Sequence, residues 1–461
     1  MPPDMTTALQ TSDPSTAKPA ANAVGKPGGR APLLALDEAL ARLLAAVLPL
    51  SPRGGAHDTV STFDALGRVL AADVVSLLDV PPADNTSMDG YALRAADVVE
   101  AGTLLPVSQR IPAGVVGQPL LPGTAARIFT GAQIPPGATA VVMQEQCEAV
   151  TAADGTSQVR VNTVPATGQW IRRRGEDVAR HSVVLRAGTR LTAAALGLAA
   201  SVGAAHLEVA RRPRVALFST GDELVMPGEV APEAMRPGAI YNSNRYTLRA
   251  LLQGLGCEVT DFGIVPDRLD ATRATLREAA ADHDLILTSG GVSVGEEDHL
   301  RPAVLAEGRL DLWSIAMKPG KPLAFGSVHR PLAVGESAVD GSEDDPQRSA
   351  WFMGLPGNPV SSFVTFLLLV RPVLLRLQGV TDVAPRSYTL RADFDWPKAD
   401  ARREFIRVRV NPAGGLDVFR NQSSGVLTSA VWGDGLVDVP AGTTFQAGAL
   451  VRYLPLGELQ S

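Results

Sequence analysis

From Arg214 to Gln378, apolar runs of strand length alternate with amphipathic stretches at helical spacing, and short loops join them. A chain written this way buries its strands between layers of helix, which predicts a parallel α/β sheet. The strands are expected at Arg214–Ser219, Glu258–Val265, Leu285–Thr288, Leu310–Ala316, Leu323–Gly326 and Trp351–Gly354. The helices are expected at Asn244–Gln253, Leu269–Ala281, Leu300–Leu305 and Val360–Gln378. Asn242, Ser243 or Asn244 serves as cap for the first helix, and Gly254 or Gly256 stops it. In an open sheet of this kind, ligands sit just outside the carboxyl ends of the strands.

The loops expected at those ends share a chemistry. They are Ser219-Thr220-Gly221-Asp222-Glu223, Pro266-Asp267, Ser289-Gly290-Gly291-Val292-Ser293-Val294-Gly295, Lys318-Pro319-Gly320-Lys321-Pro322 and Leu355-Pro356-Gly357-Asn358-Pro359. Glycine lets backbone N–H groups approach and ring an anion, because no Cβ stands in the way. Lys318 and Lys321 add cations, and Glu223, Asp267 and Asp298 offer hard oxygen ligands of the kind Mg²⁺ takes. Ser361 falls on the first turn of a helix, where free N–H groups favour an anion. Each loop also has a plainer reading. Ser289–Gly295 is a tight strand–helix turn, Thr220–Glu223 a helix cap, Lys318–Pro322 an exposed basic turn, and Asp298 a partner for a helix dipole. All of them in one domain point to a phosphorylated or oxyanionic ligand with Mg²⁺.

A chain of 461 residues is too long for one core, and about three domains are expected. The net charge of −6 argues against nucleic acid as the main partner. Two cysteines, Cys147 and Cys257, allow neither a zinc pattern nor a disulfide framework, which fits a reducing cytoplasm. If a soft metal is handled through thiolates, the sulfur must come from the ligand. No membrane span is expected: the apolar run Phe363–Val370 is well short of the ~20 residues a span needs. Residues 1–31 lack the basic start and apolar centre of a secretory signal and read as a disordered tail.

The rest of the chain divides by texture. Leu33–Leu48 and Ala65–Val75 carry helical patterning, which returns at Leu191–Leu207. Between them, residues 80–169 are punctuated by Pro and Gly and hold short β-type runs. The expectation is a β-rich domain inserted into a small elongated helical one, built from residues 32–79 and 170–210 whose helical segments pair. The α/β domain spans 211–380, with a surface insert at Gly335–Ser349. Residues 381–461 alternate strands with Gly turns and predict a small C-terminal β-barrel or sandwich.

Taken together, these strings resemble the MoeA/gephyrin E-domain family, the molybdopterin molybdenumtransferases. The resemblance rests on Asp84–Ala92, Arg127-Ile128-Phe129-Thr130-Gly131-Ala132, Val141–Glu145, Arg172–Asp177, Phe218–Leu224, Ser289–Gly295, Lys318–Phe325 and Gly354–Ser361. It implies an enzyme that takes adenylylated molybdopterin and molybdate, releases AMP with Mg²⁺ present, and leaves molybdenum on the cofactor's dithiolene. By the same resemblance, Glu223, Asp267 and Asp298 are the metal- and phosphate-side carboxylates. Asp89 and Thr130 are functional positions that act across a homodimer, and Asp177 is a further acidic functional position. Ser219, Thr220, Gly221, Ser289, Gly290, Gly291, Ser293, Gly295, Pro356, Gly357 and Asn358 hold the cofactor. Lys318, Lys321, Ser361, Arg407 and Ser424 contact molybdate. The upstream adenylyltransferase and recipient molybdoenzymes are the implied partners. In one departure, Ser314 follows Trp313 where members often carry Lys. Two other functions stay open at this point: a non-catalytic binding or scaffold protein of the same fold, and a molybdopterin adenylyltransferase.

Overall fold

The computed structural model describes residues 33–50, 57–292, 299–331 and 348–460. The expected N-terminal tail, most of the Gly335–Ser349 insert, and Ser293, Gly295 and Asp298 lie outside the described residues.

The central sheet has six strands in the order Glu258–Val265, Arg214–Thr220, Leu285–Ser289, Ser349–Leu355, Pro322–His329, Gly308–Ser314. The first four run parallel. Pro322–His329 alone runs the other way, antiparallel to both its neighbours with Leu310 opposite Gly326 and Ser327 opposite Trp351, so the expected parallel sheet carries one reversed strand near this edge. The reason is the connection. The lysine turn is too short for a crossover, so the chain must double back beside the strand it leaves.

Both faces of the sheet are covered, which is why its strands read as continuous apolar runs. Val215, Leu217, Leu285 and Leu287 pack toward helix Ser243–Gly254 and the long helical run Pro359–Leu377. Ala216, Phe218 and Ile286 pack toward helices Leu269–Asp282 and Leu300–Glu307. The run Pro359–Leu377 is long and apolar enough to cross a membrane, yet 94% of its apolar window is buried inside this fold.

Two expectations for the N-terminal half are overturned. Ala65–Val75 is not helical. Gly67 turns the chain at φ +75°, Val69 and Leu70 form bridges to Arg190 and Val209, and Val74–Val75 pairs with Val183–Leu185. Successive side chains Val69 and Leu70 enter different cores, as extended backbone requires. The segments flanking the insert do pair, but through ribbons and a shared core and not helix on helix. Helix Leu36–Ala46 joins the core of the α/β domain through Leu36, Ala39 and Leu43, and the Leu50 N–H binds the Leu377 carbonyl at 2.8 Å. Helix Ala193–Ser201 packs instead on two-stranded ribbons, of which His57–Ser61 with His206–Ala210 is the longest.

The inserted β-rich region is a six-stranded sheet with apolar clusters on both faces. Gly90 opens its strand Gly90–Leu93 because any Cβ there would strike the Val142 carbonyl of the neighbouring strand. At the C-terminal end, Arg403–Val410, Gly435–Val439, Leu450–Pro455 and Tyr388–Arg391 form a meander. Strand Leu416–Val418 pairs with Arg403–Val410 and meets Ala392, which closes a small barrel. One pairing was not foreseen. Met317–Lys318 adds to this barrel sheet, Lys318 opposite Glu404, so the lysine turn is tied to the C-terminal region.

Burial pushes the Cys257 thiol up to about 12 and the Cys147 thiol up to about 11. Neither thiolate is populated near neutral pH. Alkylation of the native protein at pH 8 should therefore run more than about a hundredfold slower than for a free cysteine. Mass spectrometry of timed iodoacetamide reactions checks this.

Candidate functional site

The loops expected to converge do so. A cleft of about 730 Å³ opens at the carboxyl ends of the parallel strands. One wall is Thr220, Gly221 and Glu223 after the first parallel strand, with Asp267 after the second. Its floor is Gly290 and Gly291. The far wall is the lysine turn, with Lys318 and Lys321, and the segment Pro356, Gly357, Asn358 and Ser361. Ser424 lines it from the barrel side, and its carbonyl accepts the Val360 N–H at 2.9 Å.

The glycines of the floor are required by geometry. Gly290 and Gly291 have φ of +94° and +64°. A Cβ on Gly290 would lie 2.7 Å from the Thr220 carbonyl, and one on Gly291 2.8 Å from the Thr220 hydroxyl. With no side chains in the way, the backbone at this turn is open to an anion. The Thr220 hydroxyl beside it is buried and has no hydrogen-bond partner among the described residues. That unsatisfied group is available to a ligand oxygen.

Ser219 and Ser289 lie below this floor and are buried. Ser289 Oγ accepts from Asn244 Nδ2 at 2.7 Å and faces a second pocket of about 520 Å³. The two pockets share Thr220, Glu223, Gly290, Gly357 and Asn358 and form one continuous surface.

The two lysines of the turn are not equivalent. Lys318 Nζ donates to Glu404 Oε1 at 2.8 Å and lies 3.3 Å from Asp400 Oδ2. The Glu404 hydrogen bond holds its ammonium above the usual lysine range. Asp400 in turn is gripped by Arg402, which keeps its carboxyl well below the usual carboxylate range. Lys321 lines the same cleft and has no ion pair among the described residues. Among the described residues it is the lysine of the turn left to meet an incoming anion.

Arg407 requires a correction. It was expected to contact the ligand, but it is only 1% exposed and does not line the cleft. Its guanidinium donates to Ser429 Oγ and to the Phe405 and Ser423 carbonyls, holding the Gln422–Ser424 loop from behind. Burial without a carboxylate pushes it down to about 10.

Asp89 and Thr130 meet each other rather than the cleft. Asp89 Oδ1 accepts from the Thr130 N–H at 2.7 Å and from its hydroxyl at 2.6 Å. The side-chain bond, then the backbone bond, holds the Asp89 carboxyl below its usual range. Asp177 is exposed on the turn joining the inserted sheet to the ribbons, where Asp84 binds Arg173 and the Arg174 N–H. None of the three lines the cleft of its own chain.

Several residues at the site were not foreseen: Arg402, Gln422 and Ser423 in the cleft, Asn244 and Tyr241 in its annex, and Glu404 and Asp400 behind Lys318. The polar string Asn421-Gln422-Ser423-Ser424-Gly425 was the available signal for the barrel loop. Among the described residues no group of three His, Cys, Asp or Glu side chains is arranged to hold a metal alone. Glu223 and Asp267 on one cleft do fit Mg²⁺, which keeps its waters and takes one or two carboxylates plus substrate phosphates.

Comparison with known proteins gives the following. The family model for the MoeA N-terminal region (domains I and II) matches residues 34–203. One for a probable molybdopterin binding domain matches 216–376, and one for the MoeA C-terminal region (domain IV) matches 389–456. The molybdopterin molybdenumtransferase of Haemophilus influenzae is 37% identical over 389 residues, 84% of this chain and 89% of that protein. That of Bacillus subtilis is 33% identical over 418 residues, 88% and 91% respectively. Among solved structures, the molybdopterin biosynthesis MoeA protein of Pyrococcus horikoshii superposes with a TM-score of 0.75. It is 28% identical, with 92% of this chain and all of that one covered.

Proposed function

Because this chain belongs to the molybdopterin molybdenumtransferase family and is an enzyme of molybdenum cofactor biosynthesis, we propose that its cleft binds adenylylated molybdopterin beside molybdate. Water cleaves the phosphoanhydride to give AMP and the terminal phosphate of molybdopterin, and the two dithiolene thiols bind molybdenum as one molybdate oxygen leaves as water with both thiol protons. The observation that carries this reading is the opening of the glycine floor and the lysine turn into one cavity.

In this reading Gly290 and Gly291 ring a phosphate with backbone, and the unsatisfied Thr220 hydroxyl donates to one of its oxygens. Lys321 and Ser361 orient molybdate at the opposite wall. Arg407 acts through the Ser423 carbonyl to keep the barrel loop in place. Glu223 and Asp267, with Asp298, would hold Mg²⁺, which neutralises phosphate charge when bound. Asp89, Thr130 and Asp177 do not reach the cleft of their own chain, and we assign them to the ligand of a second subunit in a homodimer. A cytoplasmic setting, between an adenylyltransferase and recipient molybdoenzymes, fits the two thiols and the chemistry.

The test is AMP release from adenylylated molybdopterin, with and without molybdate and Mg²⁺. Release that needs both supports the reading. Binding without AMP release would support a scaffold, and formation of the adenylate from ATP would support an adenylyltransferase. Lys321→Ala should raise the molybdate concentration for half-saturation about tenfold, since one close unpaired cation on a dianion is lost. AMP release at saturating molybdate should stay within a few-fold of the parent, and an unchanged half-saturation point would count against the anion assignment.

A further inference from the structure

Behind the lysine turn lies a charge arrangement that binding alone does not explain. Glu404 is 4% exposed, and both its oxygens are committed. One accepts from Lys318 Nζ at 2.8 Å, the other from the Trp396 indole N–H at 2.9 Å. The backbone reinforces the pair, because Lys318 is registered opposite Glu404 where the turn joins the barrel sheet. Asp400 supplies a second carboxylate 3.3 Å from the same ammonium, and itself takes three bonds from Arg402, two from the guanidinium and one from the backbone N–H. Lys318 nevertheless stays 42% exposed and lines the cleft. A cleft built only to hold a dianion tightly would not set a buried carboxylate against one of its two turn lysines.

We propose that Glu404 is a positioning residue that limits anion affinity, fixing Lys318 at the cleft wall while offsetting its charge so that molybdate is held loosely enough to be passed on. Glu404 acts through Lys318 and does not touch the substrate. The carboxylate leaves one or more ammonium protons free for an oxyanion, yet adds a nearby negative charge that the dianion must tolerate. Lys321, with no such partner among the described residues, supplies the unmatched attraction. This inference rests on the molybdate reading above and specifies how that site is tuned.

Titration calorimetry with molybdate tests it on the full chain. Glu404→Gln keeps the shape of the side chain and an acceptor for Trp396 but removes the charge. It should tighten molybdate about tenfold, the effect of one unit charge several ångströms from a dianion near solvent. A residue with a merely structural role would loosen binding or leave it unchanged, and either result overturns the proposal. In Glu404→Gln/Lys318→Ala, compared with Lys318→Ala alone, the direct effect of the charge remains but that of the released ammonium is lost, so the gain should be smaller; a gain of equal size there also overturns it. Should Glu404→Gln not fold, Asp400→Asn removes the more exposed carboxylate and should tighten molybdate by a smaller factor, with no tightening counting against the idea. If the parent binds molybdate and Lys321→Ala weakens it while Glu404→Gln has no effect, only this inference fails. If the parent does not bind molybdate at all, the reading of the site fails and this inference falls with it.

Discussion

Gly290→Ala should lower AMP release about a hundredfold while leaving a folded protein. The residue has φ +94°, a conformation in which an L side chain costs roughly 1–3 kcal/mol. Its Cβ would lie 2.7 Å from the Thr220 carbonyl, a backbone atom that cannot swing aside. The strand end and the turn must therefore part, at the one place where phosphate is to be ringed by N–H groups. The displacement is small, but a misplacement of about 1 Å is enough to cost two orders of magnitude in a preorganised site. Gly203→Ala serves as the control. That glycine also has a positive φ, but a Cβ there meets nothing within 4 Å, and it lies outside the cleft. Its strain should show in stability and not in turnover. Equal turnover for the two variants would remove the glycine floor from the mechanism.

Asp284→Ala should destabilise the α/β region by about 3 kcal/mol with little change in turnover of the folded fraction. Asp284 is 6% exposed and lies just before strand Leu285–Ser289, at the end opposite the cleft. Its carboxylate takes a two-pronged bond from Arg211 at 2.7 and 2.6 Å and a third from the Arg214 N–H at 2.9 Å. Its own N–H and carbonyl bind Arg214 and Trp351, so one residue ties three adjacent strands. Truncation strands the Arg211 guanidinium, only 28% exposed, and removes the acceptor of the Arg214 N–H. The measurement is the midpoint of thermal unfolding followed by calorimetry, together with turnover at 25 °C. A midpoint within a degree of the parent, or a collapse of turnover in folded protein, would contradict the assignment.

The parts of the fold legible in the sequence were those built on local periodicity with both faces buried. Strands Leu285–Ser289 and Ser349–Leu355, buried almost throughout, appear where their continuous apolar runs put them. The ribbons were not legible, because the side chains of Ala65–Val75 enter separate cores and their spacing mimics a helix. The lysine turn showed the same limit at the site. Its two cations were evident from composition, but which was free depended on Glu404 and Asp400, more than eighty residues away in sequence.

From its own residues, then, the chain determined which backbone turns can ring an anion, since only glycine tolerates φ +94° beside a carbonyl, and which apolar runs must be buried. Tertiary structure alone decided what each charge faces. Lys318 meets carboxylates, Lys321 opens to the cleft, Arg407 is sealed behind a loop, and Asp89 is satisfied by Thr130. The physical reason is that backbone conformation is chosen by the residue itself, whereas the effect of a charge depends on whatever distant group the fold brings within a few ångströms of it.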